Sequence, residues 1–299
     1  MKILTIGECM AELSPQDEAG TFRLQFAGDT FNTAWYLKRF NADIDVSFFT
    51  GLGTDAISDQ LRDAISDADI SVDYVIEVPN RTVGLYLISL ENGERSFSYW
   101  RGQSAARCLA SDPAALKSAI TDHDAIYFSG ITLAILDPEG RDALLSALRE
   151  GRSEGKLIAF DPNLRPRLWD HTDTMLGVIM AGAEVSDIIL PSFEDEASWF
   201  ADATPKATAA RYLSVGANTV VVKNGADAIF HQSPDSEGTI AVPPITKVID
   251  TTAAGDSFNA VILAGLSEGN SLPATIAAAC ELSGAVVQAR GALVPITSR

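Results

Sequence analysis

LIAFDPNLRPRLW, residues 157–169, opens with four apolar side chains in a row, Leu157-Ile158-Ala159-Phe160, and turns polar at Asp161-Pro162-Asn163. A run this short, apolar at every position rather than at alternate ones, describes a strand buried on both faces. Ala125-Ile126-Tyr127-Phe128, Ile188-Ile189-Leu190 and Thr219-Val220-Val221-Val222 repeat the pattern. Polar or glycine punctuation follows each run and, in most cases, so does a helical pattern such as Glu139 to Gly151. Strands of this kind separated by helices predict an α/β body with a largely parallel central sheet covered on both faces. Ligands of such sheets bind beyond the carboxyl ends of the strands, so the residues just after each run are where chemistry is expected.

The first hundred residues break the rhythm twice. Val83-Gly84-Leu85-Tyr86-Leu87-Ile88, a turn at Glu91-Asn92-Gly93-Glu94, and Arg95-Ser96-Phe97-Ser98-Tyr99-Trp100 read as a β-hairpin. A second alternating stretch covers about residues 12–30. Between the two lie a helix at Phe31 to Phe40, a strand at Val46 to Thr50 and a helix at Ala56 to Ala68. The expectation is one domain over residues 1–299, with a small β-sheet inserted from about 12–30 and 72–100. No repeat or linker divides the chain.

Composition narrows the function. With 40 acidic and 22 basic residues the formal charge is −18, which repels nucleic-acid phosphates and anionic membrane surfaces. An anion bound here must find its field locally, at helix N-termini, a few arginines or a divalent cation. No apolar run reaches the ~18 residues needed to span a bilayer, and MKILTIGECM runs straight into a polar segment without a cleavage pattern, so a cytoplasmic location is expected. Cys9, Cys108 and Cys280 are far apart and lack C-x-x-C spacing, and His123, His171 and His231 are equally scattered. A metal held at zinc-type spacing is therefore not expected.

DTTAAGDSFNA, Asp250 to Ala260, places small residues between two carboxylates just before a helical run. If the backbone turns at Thr252-Ala253-Ala254-Gly255 and a helix begins near Asp256, successive N–H groups point outward and form an anion cradle. Glycine permits the unusual φ of such a turn, and small side chains let a phosphate approach the backbone. The helix dipole and exposed amides would favour an ionised Asp256, a candidate general base. Taken alone, the same residues also describe a plain helix cap, with Asp250 ending a strand.

That stretch resembles the C-terminal signature of the ribokinase-like (PfkB) family of sugar kinases, and FTGLGTD, Phe49 to Asp55, resembles the family's N-terminal glycine motif. The resemblance runs essentially end to end. Within the family, FAGDTFNTAWYLKR, RSFSYWRGQSAAR and FDPNLRPRLW are similar to the branch that phosphorylates 2-keto-3-deoxygluconate. The resemblance implies a ribokinase-like three-layer sandwich with a β-sheet lid, and ATP with Mg2+ as cofactors. It implies transfer of the γ-phosphoryl of ATP to the 6-hydroxyl of the sugar acid. Asp256 would be the base and an acceptor contact, and the amides of Ala253, Ala254 and Gly255 would hold the developing charge. Gly28, Asp29 and Asn32 would bind sugar hydroxyls, with Tyr86 and Tyr99 closing over the molecule. On the nucleotide side, VVKNGADAIF, Val221 to Phe230, resembles the ATP-binding turn, so Lys223, Asn224, Gly225 and Ala226 are expected near the phosphates and ribose, with contributions from Asn163 and Arg165. Where many members carry Asn-x-x-Glu to organise magnesium, this chain has Ser192-Phe193-Glu194-Asp195-Glu196, leaving the carboxylate role to Asp195 or Glu196.

The acceptor side can also be argued from chemistry. A sugar acid needs a fixed cation for its carboxylate, and the planar fork of arginine suits it. Arg101, beside Tyr99 and Trp100 at the lid edge, and Arg165, after the strand ending at Phe160, form a candidate acid clamp. The runner-up is a neutral-sugar kinase of fructokinase or ribokinase type, which needs no such pair. A dehydrogenase is disfavoured because Gly51-Leu52-Gly53 lacks the third glycine of G-x-G-x-x-G, and a non-catalytic sugar sensor would not need Asp256. Apolar faces on a half-exposed lid predict a homodimer formed through the lids.

Overall fold

The computed structural model describes residues 1–296 except 17, 19, 92 and 93. The chain runs through β1 (Lys2–Ile6), the hairpin β2 (Met10–Pro15) and β3 (Phe22–Ala27), α1 (Asp29–Phe40), β4 (Asp45–Phe49), β5 (Gly51–Leu52), α2 (Ala56–Asp67) and β6 (Ile76–Glu77). A second hairpin follows, β7 (Leu85–Glu91) and β8 (Glu94–Trp100). Strand and helix then alternate through α3 (Pro113–Thr121), β9 (Ala125–Ser129), α4 (Gly130–Ile135), α5 (Pro138–Ser153), β10 (Leu157–Asp161), α6 (Thr172–Glu184), β11 (Ile188–Ile189), α7 (Phe193–Trp199), α8 (Pro205–Leu213) and β12 (Thr219–Val222). The antiparallel pair β13 (Ile229–Ser233) and β14 (Ser236–Ile240) precedes the final helices α9 (Ala254–Glu268) and α10 (Leu272–Val286).

Eight strands form the large sheet in the order β14-β13-β12-β11-β10-β9-β1-β4, parallel from β12 to β4 and antiparallel only at the β13 and β14 end. The four apolar runs all fall on its strands. Their every-residue apolarity is explained by two cores, one on each face. Ile3, Tyr127, Ala159 and Val221 feed the core under α1, α2, α9 and α10, while their neighbours Leu4, Phe128, Phe160 and Val222 feed the core under α3, α5, α6 and α8. Successive side chains point to opposite faces, so both must be apolar. Several helices start where a capping side chain meets a proline: Asp112 before Pro113, Asp137 before Pro138 and Thr204 before Pro205.

The smaller sheet has the order β3-β2-β7-β8, with β2 and β7 parallel. It is narrower than the sequence suggests. Residues 29 and 30 already belong to α1, and residues 72–84 are outside it, with β6 pairing to β5 instead. The reason lies in the glycine motif. A Cβ at Gly53 would stand 2.0 Å from the Arg81 carbonyl oxygen, and one at Gly51 would stand 2.5 Å from that of Ala105. The two stems of the lid therefore rest directly on these glycines. Of the expected hairpin turn, Asn92 and Gly93 lie outside the described residues. Among the described residues no helix is long and apolar enough to cross a membrane, and all three cysteines are free.

Candidate active site

The carboxyl ends of β9, β10 and β12 and the start of α9 enclose a buried polar network. Asp161, the last residue of β10, accepts from Lys223 Nζ at 2.8 Å and from Asn259 Nδ2 at 2.6 Å through the same oxygen. Lys223 also donates to Asn259 Oδ1 at 3.0 Å, and Asn259 donates to Tyr127 Oη at 3.0 Å. The other oxygen of Asp161 accepts from the Asn163 amide at 3.1 Å, closing a turn in which Asn163 has φ 35°. A buried lysine, a carboxylate and an amide satisfied this fully form a rigid floor.

Asp256 stands one helical turn before Asn259. The helix begins at Ala254, two residues earlier than expected, and no side chain caps it, which removes the plain-cap reading of Asp256. Asp250 instead builds the preceding turn, accepting from Thr252 N at 3.1 Å, Thr252 Oγ1 at 2.7 Å and Gly291 N at 2.7 Å. The residue in the left-handed region is Ala253, at φ 58°, while Gly255 is helical. A non-glycine residue held there is strained, as is common at functional sites. Of the three amides expected in the cradle, that of Ala254 is used within the turn, donating to the Thr251 carbonyl at 3.2 Å. Those of Ala253 and Gly255 find no protein acceptor among the described residues.

The electrostatics of Asp256 reverse the expectation of a carboxylate held ionised by the helix dipole. Its pKa is pushed up to about 8, chiefly by burial and then by the charges of Asp29 and Asp161, with the hydrogen bond from Asn32 and the charge of Lys223 only partly opposing them. Asn32 Nδ2 donates to Asp256 at 2.7 Å, and Asn163 Nδ2 donates to Asp29 at 2.7 Å. Asp29 is likewise raised, chiefly by burial. Asp29, Asn32, Asn163 and Asp256 thus form one cluster, and Asn163 lies beside the residues expected at the acceptor. Gly28 precedes it because a Cβ there would stand 2.1 Å from the Glu8 carbonyl oxygen.

From the lid, Tyr86 and Tyr99 face each other across β7 and β8 with ring centroids 5.8 Å apart. Tyr86 is buried and donates to Glu12, whereas Tyr99 and Trp100 are exposed. Arg101 is largely buried, with its side chain 11% exposed, and it forms an ion pair with Glu8. Arg165 is half-exposed, donating to the Leu164 carbonyl at 2.7 Å and facing Asp195 at 3.5 Å. The two arginines of the candidate clamp are thus each paired with a carboxylate of the chain.

On the far side, Ser192 bridges Lys223 backbone to backbone, and the turn Asn224-Gly225-Ala226 lies beyond β12, with Gly225 at φ 58° and both Gly225 and Ala226 exposed. Glu196 cannot organise magnesium. It is fully buried, held by Arg211 at 2.5 Å and by Tyr212 Oη at 3.0 Å, and its pKa is pushed to about 7 by burial. Asp195, only partly buried, remains. Among the described residues no group of three or more His, Cys, Asp or Glu is placed to hold a metal, so an ion there must take other ligands from phosphates and water.

Glu8, Glu12, Asp161 and Asn259 were not anticipated from the sequence. Asn259 had a signal, since it lies three residues after Asp256 on a helix and shares its face. Glu8 and Glu12 had a fainter one, as two acids inside the otherwise apolar β1 to β2 stretch.

The family model for pfkB family carbohydrate kinases matches residues 1–299. The chain is 39% identical over 303 residues to a 2-dehydro-3-deoxygluconokinase of Escherichia coli strain K12, covering 98% of this chain and 97% of that one. It is 37% identical over 300 residues to a 2-dehydro-3-deoxygluconokinase of Haemophilus influenzae, covering 98% and 95%. Among solved structures, the PfkB protein from Polaromonas sp. JS666 superposes with a TM-score of 0.85 at 26% identity, covering 96% of each chain. With the family model matching along its whole length and relatives at 37–39% identity over nearly all of it, the chain belongs to the pfkB family of carbohydrate kinases.

Proposed function

We propose that this chain is a 2-dehydro-3-deoxygluconokinase, transferring the γ-phosphoryl of ATP to the 6-hydroxyl of 2-keto-3-deoxygluconate. Kinases of this family use ATP, and the names of the relatives supply the substrate. The observation that carries the chemistry is Asp256, a carboxylate with raised pKa beside the amides of Ala253 and Gly255, which have no protein acceptor among the described residues. A base with a pKa near the working pH is best suited to proton transfer. In the reaction, Asp256 takes the proton of the 6-hydroxyl, the hydroxyl oxygen bonds to the γ-phosphorus, and the bond from that phosphorus to the ADP oxygen breaks. The two amides stabilise the charge on the transferred group.

Asp29, Asn32 and Asn163 hold sugar hydroxyls against Gly28, Tyr86 and Tyr99 close over the ring, and Arg101 with Arg165 receives the carboxylate. ATP lies over Asn224, Gly225 and Ala226, with Ser192 and Lys223 toward its phosphates. Asp195 fits a Mg2+ ion only through the ion's waters, and magnesium, when bound, neutralises phosphate charge. The outer face of the lid pairs two copies of the chain.

The test is a coupled ATP-consumption assay offering 2-keto-3-deoxygluconate and fructose to the wild type and to Asp256→Asn. The expected result is preference for the acid and a fall in kcat of about 10²–10⁴-fold in the variant. Higher turnover on fructose would sink the substrate assignment, and an active Asp256→Asn would sink the base.

A further inference from the structure

Glu8 lies between β1 and β2, where the chain leaves the body for the lid, and Arg101 follows directly after β8, the edge strand on the far side of that lid. Their ion pair therefore ties the outer edge of the lid back to the body across 93 residues of sequence. The pair is buried, with side-chain exposures of 11% for Arg101 and 1% for Glu8. It is also tightly cased: a Cβ at Gly84 would stand 2.8 Å from Glu8 Oε1 and 3.2 Å from Arg101 Cβ. The backbone of Glu8 in turn rests on Gly28, next to Asp29 of the acceptor cluster. Two polar atoms of the pair, Glu8 Oε1 and Arg101 Nε, are buried without a partner among the described residues.

We propose that Glu8 is a positioning residue that aims the Arg101 guanidinium at the carboxylate of the acceptor. The inference rests on the sugar-acid reading of the site. Because Glu8 already neutralises Arg101, the pair offers an acceptor carboxylate little net charge. Recognition then depends on the direction of the remaining N–H donors, and a planar fork must be held within about 10–20° for a bidentate contact. Direction is supplied by the oxygen of Glu8 at a fixed reach, not by its charge.

Two conservative variants separate reach from charge. Glu8→Asp keeps the charge and withdraws the oxygen by one methylene, and Glu8→Gln loses the charge and keeps an acceptor oxygen in place. With 2-keto-3-deoxygluconate as the varied substrate, Glu8→Asp should raise KM about tenfold while kcat and KM for ATP stay within about threefold. Glu8→Gln should remain within about threefold of wild type in all three. Thermal melts run beside the kinetics identify any variant that is simply unfolded, and the other variant then decides. A wild-type KM in Glu8→Asp, or a KM in Glu8→Gln as high as in Glu8→Asp, overturns the positioning role alone. A wild type that prefers fructose overturns the sugar-acid reading and this inference with it.

Discussion

Asp256 and Arg101 show how a site residue's neighbours set what its mutation will report. Asp256 must be a carboxylate to act as a base, and its pKa of about 8 in the free protein places that event inside the usual assay range. For the free enzyme, kcat/KM should climb from pH 6 through pH 8 and level off about one unit above the pKa. Asp29 is the largest contributor after burial, so Asp29→Asn should move the acidic limb to lower pH even where it weakens acceptor binding. The same shift has a stability consequence. A carboxyl whose folded pKa lies above its unfolded value binds its proton more tightly when folded, so stability falls as pH rises from about 4 to about 8. Asp256→Asn should therefore melt higher than wild type at pH 9 and show no such advantage at pH 4, while its activity is lost at both. Arg101→Ala carries the opposite hazard. It strands the buried carboxylate of Glu8, which should cost about 3–5 kcal/mol in urea denaturation, and adding Glu8→Gln should recover most of that loss.

At the scale of elements, Gly51 and Gly53 join lid to body, and they are glycines because carbonyl oxygens of the lid stems occupy the space of a Cβ. Gly53→Ala should lower stability by about 1–3 kcal/mol, measured by denaturant titration with an unchanged m-value. Gly255 differs: it is helical, and a Cβ there would meet only Lys223 Nζ at an ordinary 3.7 Å, so Gly255→Ala should fold normally. These cases show what the sequence carries and what it does not. Apolar runs report burial on both faces, so the strands at 125–129, 157–161, 188–189 and 219–222 were legible within a residue or so. The hairpin of β7 and β8 was legible from alternation, whereas about 12–30 was read only as an alternating stretch and not as the hairpin of β2 and β3. Which member of Thr252-Ala253-Ala254-Gly255 takes the left-handed conformation was not, because the turn is dictated by Asp250 reaching both Thr252 and Gly291. Likewise nothing local marks Glu8 as the partner of Arg101 or Asp161 as that of Lys223, since each pair is assembled by tertiary packing.

For the whole molecule, the lid has two faces with different needs. Strand register puts Glu12, Tyr86 and Tyr99 on one face and Leu13, Leu24 and Leu87 on the other, because residues directly opposite in a sheet share a side. The first face turns inward: Met10, Ala27, Tyr86 and Ile88 pack with Ala292 of the body. The second packs Ala11, Phe26 and Leu85 against the body core at the base of the lid, and farther out it keeps Leu13 and Leu87 half-buried and leaves Phe22, Leu24 and Trp100 exposed. A contiguous apolar face on a sheet otherwise built to cover a pocket is best satisfied by a second copy of itself, in a two-fold arrangement that places the same face on both sides. Each copy carries a formal charge of −18, so such a dimer must win apolar burial against charge repulsion and should tighten as salt screens that repulsion. Sedimentation velocity should therefore show a dimer for wild type, stronger at higher salt, and a monomer for Leu24→Glu, which buries an unpaired charge at the centre of the contact. A dimer that survives Leu24→Glu would place the interface elsewhere, and a wild-type monomer at all salt concentrations would leave the outer face of the lid uncovered.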